Sequence, residues 1–328
     1  MILSIGIIAR NEQDYLPALL NDIRQQTYPH DQIEIVLVDS DSDDQTHRIM
    51  DEFKADNDFG AVQVLSNPEK IQAAGWNVAI RAFKGDALAR IDAHARLTPE
   101  FAAYVMENIS QSGEFVVGGV RPCITERDTP WGQVLLQVEN SLFGSGINPS
   151  RRKLVKTYVK TMFHATYRRA VFDKVGLFNE QLRRTEDNEM HYRIRRAGYK
   201  LCYDPRIRSS QYIRSNFKAM ASQKWKNGYW IGRTAKICPQ CLSLYHFAPA
   251  LFVIGIVITS ALIPVCWLLS ALLWLSYGLF AISNTVAAIG KKRFYRQSLL
   301  MPFLFLILHI SYGLGTITGL CSYNRNNH

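Results

Sequence analysis

The 328-residue chain is 48% apolar, enough to bury a large core, which excludes a disordered protein and leaves room for two domains. Its formal net charge of +10 belongs to the end of the chain: all 28 acidic residues lie at or before Asp204, and only Lys and Arg follow. A basic terminus of this kind meets nucleic acid or a membrane surface, and the apolar runs near the C-terminus decide for the membrane.

The opening stretch MILSIGIIARNE has no basic n-region and reaches Arg10 too early for a secretory signal, so the N-terminal part is expected to stay in the cytosol. Residues 3–9 and 33–38 are β-branched and apolar on both faces, as parallel strands covered by helices should be. Residues 61–66 and 86–91 are weaker strands of the same kind. Between them, residues 14–26, 46–56 and 71–84 have helical spacing, with Leu16, Leu19, Leu20 and Ile23 forming one apolar face. Alternating strands and helices predict a doubly wound, mostly parallel sheet.

In such a sheet the carboxyl ends of the strands face one crevice, where ligands bind. Here the first strand runs into Arg10, Asn11 and Glu12, the second into Asp39 and Asp41, and the fourth into Asp92 and His94. Carboxylates gathered at one edge repel unless a cation or hydrogen-bond donors sit between them. Asp92 and His94 are two apart, so in extended backbone they point to one side. A carboxylate with an imidazole suits Mn²⁺ or Mg²⁺ held jointly with phosphate oxygens, the imidazole favouring Mn²⁺. In VDSDSDDQT, Asp39 is expected to contact a base or ribose, whereas Asp43 and Asp44 read as turn and cap residues.

The segment RRTEDNEMHYRIRR places Thr185 at a helix N-cap and acids in the first turn. Met190 and Ile194 lie three and seven residues after Asp187, which sets Asp187 on the inward side and makes it the candidate general base; Glu189 falls on a different face. Among the six Cys, only Cys238 and Cys241 form C-x-x-C, with no second pair for a zinc site, so reduced thiols are expected.

Taken in order, IIARNE, VLVDSDSDDQT, AAGWNVAI, RIDAH and TEDNEMHYRIRRAGYKL resemble the motifs of family-2 inverting glycosyltransferases with the GT-A fold, over about residues 2–203. The D-x-H form and the membrane tail look most like succinoglycan-type bacterial exopolysaccharide glucosyltransferases. The resemblance implies a Rossmann-like GT-A catalytic domain. It also implies that Asn11, Asp39, Asp41, Asn77 and Asp92 line a nucleotide sugar, with UDP-glucose the expected donor, that Asp92 and His94 hold a divalent cation, and that Asp187 is the base. Ser40 stands where many members carry a second Asp, and His94 replaces the last Asp of D-x-D.

Beyond Asp204, a basic stretch interleaved with Tyr212, Phe217, Trp225, Tyr229 and Trp230 reads as an interfacial segment against anionic lipid headgroups rather than a nucleic-acid site. Arg214, Trp225 and Glu186 are assigned to the acceptor or its diphosphate. The loop 144–153 is an acceptor-loop candidate, and His164 a further site candidate. Residues 247–263, 266–288 and 299–320 are apolar runs long enough for membrane helices, which need roughly 20 residues. Positive residues at 206–236 and 291–296 should share the cytoplasmic face, which puts the tail outside.

The expected organisation is a catalytic domain at 1–210, an interfacial segment at 211–245 and a three-helix membrane domain at 246–328. The expected activity is hexose transfer to a lipid-linked oligosaccharide in exopolysaccharide assembly. The alternatives are a processive polysaccharide synthase, for which three spans are few, and a sugar-nucleotide nucleotidyltransferase, for which IIARNEQDY lacks a Gly-rich phosphate loop. A non-catalytic membrane scaffold is the remaining one.

Overall fold

The structure is a computed structural model that describes residues 1–126, 128–144, 154–214, 216–290 and 293–322. It divides into two compact units, residues 1–122 with 149–211, and residues 123–148 with 212–328. In chain order the first unit contributes β1 (Leu3–Ala9), α1 (Leu16–Arg24), β2 (Ile33–Asp39), α2 (Thr46–Ala55), β3 (Ala61–Ser66), α3 (Gln72–Ala82), β4 (Ala87–Asp92), β5 (Ala95–Leu97), α4 (Phe101–Ser110) and β6 (Val116–Val120). The chain passes through β7 (Cys123–Ile124) and α5 (Pro130–Asn140), then supplies β8 (Thr157–Val159), β9 (Thr166–Arg168), α6 (Arg169–Val175), α7 (Glu186–Arg196) and β10 (Leu201–Tyr212).

Strands β1 to β4 are parallel in the order β3-β2-β1-β4, and the sheet continues through β9, β6, β10 and β5. The β-branched runs of β1 and β2 are buried on both faces, as the sequence predicts. Ile5, Ile7, Ile35 and Leu37 pack with α1, α2 and α4, while Val36, Val38 and Leu88 pack with α3, α6 and α7. Strand β9 runs antiparallel to both β4 and β6, which breaks the purely parallel pattern.

One local feature of β10 positions the site. Its first half runs parallel to β6, the register shifts between Tyr203 and Arg208, and its end then pairs antiparallel with β5. Such an irregularity bends a strand and re-aims its side chains. Gly119 of β6 lies under the bend, where a Cβ would overlap the Ile207 carbonyl. The result carries Gln211 opposite Ala95, beside the turn that holds His94.

The second unit contains α5, α8 (Phe217–Ile237), α9 (Ala248–Ala261), α10 (Ile263–Ile289) and α11 (Met301–Cys321). Among the described residues, three helical stretches, Leu244–Ala261, Ile263–Ile289 and Arg296–Cys321, are long and apolar enough to cross a membrane. They fall close to the predicted runs, with the turn one residue before Ile263 and Pro264 in the first turn of α10. The basic stretch begins in the end of β10 and from Phe217 forms α8, capped by Asn216, whose Oδ1 accepts from Ala219 N at 2.8 Å. Its buried stripe of Met220, Lys224, Gly228, Ile231 and Gly232 faces α11. Backbones touch there: a side chain on Gly228 or Gly232 would overlap carbonyls of Tyr312 or Thr316, and one on Gly315 would overlap that of Trp225. Small residues permit this approach between membrane helices. Lys224 pairs with Glu139 of α5 at 2.9 Å. The segment 123–148, expected inside the 1–210 domain, thus groups with these helices.

Candidate active site

At one edge of the sheet, three adjacent parallel strands turn through left-handed residues: Asn11 after β1, Asp41 after β2 and Lys70 after β3, each with φ 56°. Asn and Asp tolerate this conformation better than most side chains. The first two turns are laced together. Asn11 Oδ1 accepts from Asp43 N at 2.8 Å, Asn11 N donates to Ser42 Oγ at 3.0 Å, and Ser42 Oγ donates to Asp39 Oδ1 at 2.6 Å. Asp44 accepts from Thr46 N and Gln13 N, the turn-and-cap role read from the sequence. Asp39 is buried, with His47 Nδ1 3.3 Å from its Oδ2. Exposed Asp41 pairs with Lys70, whose hydrogen bond and charge hold its carboxyl below the usual range. Ser40 is buried and accepts from Asn67 Nδ2 at 3.0 Å, tying β2 to the end of β3.

Strand β4 ends in Asp92, and a two-residue turn carries His94 into β5. Arg96, just beyond, grips Asp22 of α1 through two bonds of 2.6 and 2.7 Å, and Asp22 also accepts from Leu97 N. This bidentate clamp fixes the turn. Gln211 Nε2 lies 2.7 Å from His94 Nε2 and 3.3 Å from Asp92 Oδ2. An amide nitrogen only donates, so His94 Nε2 offers its lone pair. Its Nδ1 then carries the proton and donates to Glu12 Oε1 at 3.0 Å.

One hydrogen-bond donor thus stands where an acid and an imidazole lone pair both face, the position a shared cation takes. The Glu12 carboxylate behind the ring is the support that metal-binding histidines commonly have. Among the described residues no three His, Cys, Asp or Glu side chains gather as a metal cluster. The pair therefore fits an ion whose remaining ligands come from phosphate and water.

His164 adds a third group to this corner. It is buried, has φ 48°, bonds Ser209 Oγ through Nδ1 at 2.7 Å, and sets Nε2 3.4 Å from Asp92 Oδ2. Burial opposes the Asp92 charge, but the hydrogen bond from His164 and the charge of Arg90 act against it, and the carboxyl lies well below its usual range. Burial is also the largest influence on His164 and lowers it against the pull of Asp92. We read the pair as carboxylate and neutral imidazole, because a buried ring loses more from desolvation than one partner at 3.4 Å returns.

Helix α7 opens beside this corner with Thr185 at its N-cap. Glu186 is buried and meets Arg90 Nη2 at 3.2 Å through Oε1. Asp187 is half-buried, and its Oδ1 accepts from Asn188 N at 2.8 Å. Burial raises both carboxyls, Arg90 pulling each down without cancelling the effect. Asp92 pushes Asp187 further up, so the two strand-and-helix acids feel one another's charge. A turn later, His191 is buried between Tyr167 OH at 2.8 Å and Thr161 Oγ1 at 3.1 Å, and burial brings its ring down to about 3. Glu189 belongs to another face, clamped by Arg193, which also donates to the carbonyls of Val175 and Leu177.

Other expected site residues have partners of their own. Asn77 is buried in α3 and its side chain is taken up by Phe178 N, Phe178 O and Glu180 Oε1, so it supports the approach to α7 rather than facing a ligand. Glu186 is buried and paired with Arg90. Exposed Arg214 and Trp225, the latter stacked on Tyr229, belong to the second unit. The acceptor-loop candidate, after Gly144, lies outside the described residues. Arg90 and Gln211 were not singled out from the sequence, although Arg90 falls on the same side of β4 as Asp92, a period-2 relation readable from RIDAH.

Residues 4–176 match the description glycosyl transferase family 2. The chain belongs to this family. It is therefore a glycosyltransferase. The match ends before α7, so the acids at its start stand on geometry alone. The chain is 26% identical over 335 residues to the succinoglycan biosynthesis protein ExoA of Rhizobium meliloti (strain 1021), covering 98% of this chain and 96% of that protein. It is 24% identical over 326 residues to a dolichyl N-acetyl-alpha-D-glucosaminyl phosphate 3-beta-D-2,3-diacetamido-2,3-dideoxy-beta-D-glucuronosyltransferase of Methanococcus voltae, covering 98% of each.

Among solved structures it resembles the mannosyltransferase PcManGT from Pyrobaculum calidifontis in complex with GDP-Man and Mn²⁺, with a TM-score of 0.59 and 17% identity over 97% of this chain and 87% of that one. It also resembles S. aureus TarS, with a TM-score of 0.52 and 14% identity over 97% of this chain, spanning 55% of the TarS chain and 91% of its 1–349 fragment bound to UDP. At these identities the likeness shows the fold, a GT-A α/β domain.

Proposed function

We propose that this glycosyltransferase moves a hexose, with UDP-glucose the first donor to test, to a lipid-linked saccharide during exopolysaccharide assembly, inverting the anomeric centre. What supports this reading is that Asp92 and His94 share one donor, Gln211 Nε2, that the Asp92 charge acts on Asp187, and that Arg90, two residues before Asp92, pairs with Glu186 beside Asp187. Asp92 and His94 would hold a divalent cation, which supplies positive charge to the departing diphosphate. The laced ends of β1 and β2, with Asn11, Asp39 and Asp41, form the rim on which the nucleotide rests.

Asp187 takes the proton of the acceptor hydroxyl as that oxygen bonds to the anomeric carbon and the bond from this carbon to the diphosphate breaks. A carboxyl raised by burial is a better base near neutral pH than an exposed one. One base on the acceptor side and direct displacement give a β-linked product from an α-linked donor. The relatives' names support the setting: one belongs to succinoglycan biosynthesis, the other acts on a dolichyl-linked sugar phosphate. The three apolar helices support a membrane-bound enzyme, and the basic residues at 206–236 and 291–296 favour a cytoplasmic catalytic unit.

The test is full-length protein purified in detergent, given a lipid-linked acceptor and a panel of nucleotide sugars with and without Mn²⁺, read as nucleoside diphosphate released and sugar transferred. Turnover with one donor, dependent on acceptor and cation, is expected. Failure with every donor in the presence of native lipid acceptor would overturn the reading.

A further inference from the structure

Arg90 is a buried cation on the central strand next to the proposed cation site, and it reaches away from that site into the base of α7. Its guanidinium bonds Glu186 Oε1 at 3.2 Å and lies 5.1 Å from the centre of the Trp76 ring and 5.4 Å from that of Phe178. Trp76 comes from α3 and Phe178 from the segment that leads into α7. Asn77, next to Trp76, bonds the backbone of Phe178 on both sides, at 2.8 and 3.0 Å. The first turn of α7 is therefore tied to β4 by an ion pair and the segment that leads into it is tied to α3 by an amide, while His191 anchors the following turn to Tyr167.

A buried ion pair is a poor route to stability, because desolvating both charges offsets their attraction. What it does supply is direction: a planar guanidinium between two rings has few alternative poses. We propose that Arg90 is the positioning residue for the acceptor base: paired with Glu186, it fixes the first turn of α7 so that the adjoining Asp187 carboxylate stands against the end of β4 that carries Asp92. This rests on the reading of Asp187 as base. Arg90 and Glu186 act as a unit, and neither needs to touch substrate.

The experiment uses full-length protein in detergent with donor and lipid acceptor, comparing Arg90→Met, Arg90→Lys, Glu186→Gln and the double variant Arg90→Met with Glu186→Gln. Misplacing a reacting group by an ångström costs about 10²-fold, so Arg90→Met should lower kcat for transfer by about that factor while donor KM stays within about twofold. Arg90→Lys restores the charge and should recover about tenfold of the loss. Because the pair works through one contact, the double variant should be no slower than Arg90→Met alone. If Arg90→Met fails to fold, Glu186→Gln, which keeps the shape, must show the same kcat-only loss.

Wild-type kcat in Arg90→Met, a loss carried by donor KM, or losses that multiply in the double variant would each overturn the proposal. Asp187→Asn run in parallel separates the two ideas. Full transfer by Asp187→Asn removes the base assignment itself, whereas an inactive Asp187→Asn beside a fully active Arg90→Met removes only the positioning role.

Discussion

Replacing Asp187 with asparagine removes a proton acceptor while keeping the side chain's shape. The amide oxygen can still accept the bond from Asn188 N that Oδ1 accepts at 2.8 Å. The loss of one charge relieves repulsion from Glu186 and Asp92, both of which crowd this corner. Folding and donor binding should therefore survive. A positioned general base contributes about 10² to 10⁴ in rate, which is about 2.7 to 5.4 kcal/mol of barrier. Burial has raised this carboxyl above an exposed one, so the upper part of that range is expected. The assay is single-turnover transfer of labelled sugar to a lipid acceptor, with donor affinity measured separately by titration. A kcat within about threefold of wild type, with the protein folded and donor bound, would refute the assignment.

The activity should fall on the acid side as Asp187 takes up a proton, with its limb above the value of about 3.9 for an ordinary Asp, because burial raises the group and Arg90 only partly opposes it; a pH profile of kcat/KM with a limb at or below that value would contradict the burial argument. The same burial acts on stability with a definite sign. Glu186 holds its proton more tightly folded than unfolded, so its contribution to stability is present at low pH and is lost as pH rises through its folded value, which a Glu186→Gln variant should flatten in urea titrations across pH. His94→Ala should raise the Mn²⁺ concentration for half-maximal rate by about tenfold or more, seen also as weaker Mn²⁺ binding by electron paramagnetic resonance; unchanged affinity would remove His94 from the cation site. Gly315→Val would drive a side chain into the Trp225 carbonyl where α8 and α11 touch, costing about 1–3 kcal/mol and lowering the melting temperature in detergent; an unchanged melt would show that the helices separate freely.

The sheet was legible because β1 and β2 are short apolar runs rich in β-branched residues, too short for a helix, and because they and the weaker β4 run directly into polar residues, Asn11, Asp39 and Asp92. The turns after them followed from residue types that favour such conformations, Asn11 and Asp41 above all. What the sequence hid depends on strands pairing far along the chain. Gln211 reaches His94 across 117 positions only because β10 bends over Gly119 and pairs with β5. The acids of α7 were ambiguous for a different reason: Met190 and Ile194 follow Glu186 by four and eight residues as well as Asp187 by three and seven. Both spacings lie on a helix's inward side, and the presence of Arg90 beneath decides which acid is buried. Asn77, which the resemblance assigns to the nucleotide sugar, bonds the backbone of Phe178, a contact between distant parts of the chain that no local pattern announces.

The anomeric configuration of the product bears most directly on direct displacement with Asp187 as the only base. Nuclear magnetic resonance of the saccharide product with its new glycosidic bond intact, after transfer from an α-linked nucleotide sugar, should show a β-linkage; an α-linkage would mean two displacements or a different geometry, and would contradict direct displacement with Asp187 as base.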